Sequence, residues 1–225
     1  MNCGLCSNDK KKNIIKNLKL VSKKIGIKLV NLKLMYQTHS NKVVVVDSKN
    51  RDLKRINSDA MITQVKGLAL GVVTADCVPI ILYDVKNQVI GCIHAGWRGA
   101  LYGVIENTIK KFHKLNSKNQ ILASIGPCIG AKSYEVDNKF YKKFYLKSKK
   151  NSTYFKIKNK NKKLFNLRKF VADKLSDLNV KTDHVNRDTV KEKSYFFSYR
   201  RSRLLGENDY GRCISVISLT NFSQN

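Results

Sequence analysis

The chain has 225 residues, 42% of them hydrophobic, and sets 44 Lys and Arg against 16 Asp and Glu, a formal net charge of +28. That length suits one medium domain with a sizeable core, or at most two small ones. No apolar run approaches the ~18 residues of a membrane span, and the polar, lysine-rich residues 1–20 lack the apolar stretch of a secretory signal, so a cytoplasmic protein is expected.

Ser7-Asn8-Asp9 supplies capping residues for a helix that starts near Lys10. Ile14, Ile15, Leu18, Val21 and Ile25 recur at helical spacing, and Gly26 is the expected stop. Strand-like runs follow at 28–36, 42–47, 68–74, 80–83 and 89–94. Val43 to Val46 is continuously β-branched, the pattern of a strand buried on both faces. After Gly96-Trp97-Arg98-Gly99 the period changes, and Leu101, Val104, Ile105, Thr108, Ile109 and Phe112 share one helical face. Residues 121–125 read as a strand, 164–178 as a further amphipathic helix, and 195–199 and 213–219 as closing strands. Strands and helices mix without strict βαβ alternation, which favours an α+β fold or a layered α/β sandwich.

An excess of positive charge raises nucleic acid or an anionic surface as a partner. Here Lys is spread along almost the whole chain, Asn and Ile are abundant, and Pro occurs only 2 times. Shared AT-rich codons account for that composition, so nucleic acid is not taken as a partner. One stretch differs: residues 139–163 hold eleven Lys and no acidic residue, interleaved with Phe140, Tyr141, Phe144, Tyr145, Tyr154 and Phe155. Basic residues among aromatics can bind single strands by stacking. The same aromatics satisfy helical spacing, so an amphipathic helix, a solvated loop and a short strand are expected instead.

The six cysteines are Cys3, Cys6, Cys77, Cys92, Cys128 and Cys213, and without a signal peptide no disulfide framework is expected. Cys3 and Cys6 form a C-x-x-C without a second pair at zinc-ribbon spacing, and are expected to begin the fold as small, half-buried side chains. Of the 4 His, His113 and His184 lie in basic or polar surroundings and read as structural. His39 follows a strand-like run, Cys77 sits where a strand breaks before Pro79, and His94 ends another strand. Function concentrates at such strand ends. Two imidazoles and a thiolate suit zinc with a fourth position left for water. A buried Cys and satisfied His side chains remain the alternative at this point.

At Gln37-Thr38-His39-Ser40, Thr74-Ala75-Asp76-Cys77-Val78-Pro79-Ile80 and His94-Ala95-Gly96-Trp97-Arg98-Gly99, the chain resembles the laccase-domain family. That family was once labelled multicopper polyphenol oxidase and is now described as purine nucleoside phosphorylase-like. Asp59-Ala60-Met61-Ile62-Thr63, Ile125-Gly126-Pro127-Cys128-Ile129, Tyr134-Glu135-Val136 and Phe197-Ser198-Tyr199-Arg200-Arg201 match it too, in the right order. The resemblance runs from about Asn2 to Leu219, and the expectation is one catalytic domain over residues 1–225. Its expected fold is α+β, a layered α/β/β/α sandwich with mixed β-sheets.

The resemblance implies a catalytic zinc on His39, Cys77 and His94, phosphorolysis of adenosine, inosine and methylthioadenosine, and deamination of adenosine. Some relatives are assigned an editing role on peptidoglycan precursors. Copper suits the chain less well, because multicopper sites need many His ligands. The implied partners are a small purine nucleoside and phosphate, with no membrane, in a monomer or homodimer. Arg98, opening the helix after the glycine turn, is the expected catalytic and substrate-binding anion residue. Asp76 is the expected ligand-orienting group or proton carrier, and Arg200, with Arg201, the expected further anion contact. Plainer roles stay open for each: Arg98 paired to a carboxylate, Asp76 capping a strand end, Arg200 and Arg201 bounding the fold. Cys128 is expected to be a buried packing residue.

Two departures from the family are expected to matter. The sequence begins at Met1 without the family's N-terminal T-R-x-G-G segment ahead of the part matching Asn2-Cys3-Gly4-Leu5, so either the true start lies upstream or a strand and an arginine are lacking, and Asp188-Thr189 stands where many members have Cys-Thr. Two other functions stay open: a metal-free hydrolase with Cys77 as nucleophile and His94 as base, acting on an amide of a peptidoglycan precursor, and a non-catalytic basic RNA-binding module.

Overall fold

The structure is a computed structural model that describes residues 1–50, 52, 56–115 and 120–219. Helix α1 (Lys11–Lys24) leads through a 3-10 turn (Leu29–Asn31) into β1 (Leu32–Tyr36). Then come β2 (Val43–Val45), β3 (Ile56–Asn57), β4 (Ala60–Thr63), β5 (Ala69–Thr74), β6 (Val78–Asp84) and β7 (Val89–Ala95). Helices α2 (Trp97–Leu101) and α3 (Val104–Lys114) precede β8 (Ile121–Ile125), β9 (Glu135–Asp137) and α4 (Asn138–Lys147). The rest comprises β10 (Phe155–Ile157), β11 (Lys162–Phe165), α5 (Leu167–Asp177), β12 (Lys181–His184), α6 (Tyr199–Leu204) and β13 (Cys213–Ser218).

Three sheets form, in the orders β12-β8-β6-β7-β4-β2, β13-β5-β1-β3 and β10-β11-β9. Both large sheets are mixed. In the first, β6 runs antiparallel to β7 and β8 while β2 runs parallel to β4. In the second, β1 is parallel and β13 antiparallel to β5.

The side-chain period of two sorts each strand onto two cores. Met61 on β4 joins Ile90 and Cys92 on β7, facing Met35, Leu70 and Val72 of the four-stranded sheet. Ile62 and Ile93, their neighbours, point the other way and pack with Ile105, Ile109 and Phe112 of α3 and Val171 and Leu175 of α5. On the far side of the four-stranded sheet, Ile14 and Leu18 of α1 bury against Leu32 and Ala69. The order is helix, sheet, sheet, helix, the expected α/β/β/α sandwich. The valine run behaves as expected too: Val43 and Val45 join one core, Val44 and Val46 the other.

Several boundaries differ from the sequence expectation. The aromatic run 195–199 is not a strand. Its end is the cap of α6, with the Ser198 hydroxyl accepting from the Arg201 N–H at 3.1 Å. A capping hydroxyl with buried partners outweighs aromatic β-propensity there. The helix expected from 164 begins only at Leu167, because Lys162–Phe165 pairs with β9 and β10 and Asn166 then caps α5, accepting from the Lys169 N–H at 3.0 Å. The strand expected from 28 starts at Leu32, after the 3-10 turn. Gly103, at φ +96°, splits the helix after the glycine turn into α2 and α3. Strands β3, β9 and β12 carry too few residues to show a period, and β12 is a polar edge strand. Over 139–163 the expected helix, loop and strand are present, with Phe140, Phe144, Phe155 and Phe165 turned into one aromatic stack. No helix among the described residues is long and apolar enough to cross a membrane.

Phe112 is fully buried between α3 and β7, where its ring lies against Gly91. Phe112→Ala should therefore destabilise the protein by about 3–5 kcal/mol, whereas Leu146→Ala, at a site 82% exposed, should stay within about 0.5 kcal/mol. Urea denaturation of both variants checks this.

Candidate metal centre

The site forms where the two large sheets meet. In the six-stranded sheet, Ala60 pairs with Ile93 and Val78 with Ala95. That register brings Asp59, His94 and Cys77 to one end of the sheet. The Asp59 carbonyl accepts the His94 N–H at 2.7 Å and fixes the alignment. His39 comes from the other sheet, three residues beyond β1. The side chain of Gln37 anchors this exit, donating to the Val73 carbonyl at 2.8 Å and accepting the Val73 N–H at 3.0 Å. The chain then crosses from β5 to β6 through Ala75-Asp76-Cys77, which carries the thiol to the seam.

The ligand atoms of His39, Cys77 and His94 all lie within 4.8 Å of one another. Cys77 Sγ is 3.7 Å from His39 Nε2. The imidazoles meet edge to face, with centroids 4.7 Å apart. His39 is exposed, Cys77 half-buried and His94 buried, so the cluster opens on one side. Gly96 is required at this spot: a Cβ there would come 2.8 Å from the His39 ring and 3.1 Å from Cys77 Sγ.

Asp59 organises the cluster. It is fully buried. Its carboxylate accepts the N–H groups of His39 at 2.9 Å and Ser40 at 2.7 Å, and the Ser40 hydroxyl at 2.6 Å. It also faces His94 Nδ1 at 2.8 Å, which turns His94 Nε2 towards the cluster. Burial pushes this carboxyl up, but the hydrogen bonds from His94 and Ser40 prevail and hold it at about 2. Asp59 was quoted above only as part of a motif, with no role. The available signal was an acidic residue directly ahead of a short apolar strand.

Charge follows from this geometry. Burial would raise the Cys77 thiol, yet the charge of His94 and the hydrogen bond with His39 bring it down to about 6. Burial would lower His94, yet the Cys77 thiolate and Asp59 raise it to about 9. Cys77 thus tends to thiolate, the form that binds metals. Buried thiols elsewhere go the other way: Cys92 is pushed up to about 12 and Cys128 to about 11. Cys3 is buried and Cys6 exposed, rather than both half-buried.

Two residues of the site hold left-handed backbone, His39 at φ +59° and Asp76 at φ +86°. Such conformations persist only where surrounding contacts impose them. Asp59 does so for His39. Asp76 is itself clamped: its buried carboxylate accepts the Thr189 hydroxyl at 2.6 Å, the Ser198 hydroxyl at 3.0 Å and the Arg200 N–H at 2.6 Å. It therefore ties the Cys77 turn to the start of α6.

Two cavities adjoin the cluster, of about 160 Å³ and about 400 Å³, sharing His39, Ala75, Cys77 and Tyr210 as a common wall. The larger is walled by Trp97, Tyr134, Tyr199 and Arg200. Arg200 donates to the Glu135 carbonyl at 2.8 Å and stacks 5.4 Å from the Tyr134 ring centroid. The smaller holds Cys3, Cys6 and Arg212. Arg98 is exposed on α2 and lies outside both walls. Tyr134 appears in the sequence only within a motif and without a role, and Tyr210 and Arg212 carry no sequence signal; all three come to the seam from distant parts of the chain.

Two imidazole nitrogens and a thiolate, open on one side, form a donor set that could hold a metal ion, and a carboxylate on the far nitrogen of a ligating His is the usual support of such a set. A multicopper centre is a poor match, with only two His in the cluster and 4 in the chain.

The chain is similar to known proteins over nearly its whole length. Residues 1–220 match the family described as multi-copper polyphenol oxidoreductase laccase. A purine nucleoside phosphorylase of Rickettsia conorii is 36% identical over 215 residues, covering 92% of this chain and 88% of that protein. One of Haemophilus influenzae is 32% identical over 219 residues, covering 96% and 85%. Among solved structures, the hypothetical protein YfiH of Bacillus licheniformis superposes with a TM-score of 0.89 at 27% identity, covering 97% of this chain and 85% of that one. A Neisseria meningitidis protein gives 0.84 at 28% identity, covering 98% and 86%.

An amide in place of the outer carboxylate keeps one acceptor oxygen but loses the charge that supports His94. Asp59→Asn is expected to weaken Zn2+ affinity about 10–100-fold in chelator competition. Gly96→Ala, which crowds His39 and Cys77, is expected to weaken it in the same direction.

Proposed function

We propose that this chain, which belongs to the family described as multi-copper polyphenol oxidoreductase laccase, is a zinc-dependent purine nucleoside enzyme. Its main reaction in this reading is phosphorolysis of adenosine, inosine or methylthioadenosine, with deamination of adenosine as a second activity. The observation that carries it is the His39–Cys77–His94 cluster opening onto an aromatic cavity that also holds an arginine. The relatives named purine nucleoside phosphorylase support the substrate class.

The cavity wall has the chemistry for a nucleoside. Trp97, Tyr134 and Tyr199 offer flat faces to a purine. Ligand pockets commonly combine such apolar walls with a few placed polar groups. Arg200 supplies a fixed cation for a phosphate oxygen, held in orientation by Glu135 and Tyr134. Asp76, through the Arg200 N–H and the Cys77 turn, keeps cation and thiolate in register. Arg98, exposed one residue beyond Trp97, is placed to draw anions toward that wall.

In phosphorolysis a phosphate oxygen bonds to C1′ of the ribose as the bond from C1′ to the purine nitrogen breaks, and the base leaves with a proton. His39, Cys77 and His94 would hold the zinc, and Asp59 fixes the ring of His94 throughout. When bound, the metal supplies a Lewis acid and an activated water, the latter being what deamination at C6 requires. In this reading the enzyme works in the cytoplasm, where nucleosides and phosphate are both at hand.

Incubation with adenosine and phosphate, followed by chromatography, tests the proposal. The expected products are adenine with ribose 1-phosphate, and inosine. His39→Ala should abolish both products together with about one equivalent of zinc per chain. Failure to turn over any purine nucleoside contradicts the proposal. Full activity in chelator, lost on alkylation of Cys77, indicates the Cys-His hydrolase chemistry instead.

A further inference from the structure

Residues 139–163 concentrate positive charge and aromatic rings in one contiguous part of the surface. Helix α4, the 3-10 turn after it (Lys149–Tyr154) and the β10–β11 hairpin include the eleven lysines of residues 139–163. Nearby carboxylates neutralise little of this charge. Glu135 takes Lys158 and Lys162. Asp137 is occupied in capping α4, accepting the Phe140 N–H at 2.7 Å. Lys139, Lys142, Lys149, Lys150, Lys156 and Lys160 are all exposed.

The aromatic residues of this segment divide between two sides. Phe140 and Phe144 turn inward, and Phe144 is fully buried. Tyr141 and Tyr145 stand one helical turn apart beside them, rings stacked at 5.7 Å and 30°. Tyr145 is 38% exposed. Lys163 Nζ sits 4.8 Å above the Tyr141 ring. Two of these lysines cover rings of the neighbouring helix: Lys143 lies 5.2 Å over Trp97, which walls the larger cavity, and Lys147 5.9 Å over Tyr102. The contrast with α1 is informative. That helix also carries six lysines and no acid, but it has no aromatic residue.

We propose that this face binds single-stranded nucleic acid, with phosphates on the exposed lysines and an unstacked base on the exposed ring of Tyr145, which Tyr141 backs. A cationic track beside exposed rings is the combination that holds single strands without reading their sequence. A duplex would offer the rings no base face, since its bases are stacked. A bilayer is disfavoured, because an interfacial helix needs a broad free apolar side, whereas α4 turns Phe140 and Phe144 into the core and exposes Leu146 among lysines. This surface touches the outer wall of the larger cavity through Lys143 and Trp97 but includes none of His39, Cys77 and His94, and it does not depend on the nucleoside reading.

Fluorescence anisotropy of a labelled single-stranded oligouridylate, about 15 nucleotides long, tests the proposal on the full chain over a range of salt concentrations. Binding is expected to fall with salt by about 0.7 log units per phosphate contact per log unit of salt. The triple variant Lys142→Glu, Lys149→Glu, Lys156→Glu should weaken binding at least about tenfold and flatten the salt slope by about 2. Tyr145→Ala should weaken it about tenfold with the slope unchanged. The matched α1 triple, Lys12→Glu, Lys16→Glu, Lys23→Glu, should stay within about threefold of the parent, since its sites lack the stacking platform. Unchanged circular-dichroism melting of each variant shows that the fold is intact. Equal losses in the two triples, no binding at low salt, or binding to phosphatidylserine vesicles that oligouridylate does not displace, would each overturn the proposal.

Discussion

One buried carboxylate sets the geometry of the whole site. Asp59 has no exposure to water, so its charge is tolerated only because several donors converge on it. Those donors are the elements that must be aligned. The N–H groups of His39 and Ser40 belong to the loop leaving the four-stranded sheet, and the His94 ring belongs to the six-stranded sheet. The same contacts that satisfy Asp59 therefore bring two sheets and two imidazoles into one register. A single side-chain change here would leave several buried donors unpaired.

Asp76 plays a parallel part on the other side of Cys77. Its carboxylate gathers Thr189, Ser198 and the first turn of α6, all more than a hundred residues away along the chain. The left-handed backbone at His39 and Asp76 marks the places where these demands meet. The two carboxylates together leave the thiolate and two ring nitrogens pointing at a common space, beside a wall of aromatic rings and Arg200. The chemistry proposed for the protein needs this rigidity, because a metal with an open position and a nucleoside must be held at fixed separation.

The parts of this arrangement that could be read from sequence were those set by local pattern. The valine run, the long apolar strands and the faces of α1 and α3 announce the layers, since period alone decides which side chains meet. The scarcity of His and the strand-end positions of His39, Cys77 and His94 only suggested a cluster, and it was the motifs resembling the laccase-domain family that singled the three out. The rest depended on distance. Asp59 earns its role only once β4 lies beside β7, and Asp76 turned out to be tied to α6, a helix hidden beneath an aromatic run that reads as strand. Arg98 looked like an anion residue because it opens a helix, yet the cavity is walled by Trp97 before it and by Arg200 from the far end of the chain.

Composition carries the least local information, and there the fold added the most. Lysine everywhere suggests nothing in particular; lysine beside a pair of stacked tyrosines on one face is a specific surface. The central claim concerns the metal, however, and X-ray absorption at the zinc edge of the loaded protein tests it most directly. The account predicts one sulfur at about 2.3 Å, two imidazole nitrogens at about 2.0–2.1 Å and one further light atom from solvent. A shell of sulfur alone, or two nitrogens without sulfur, would contradict it.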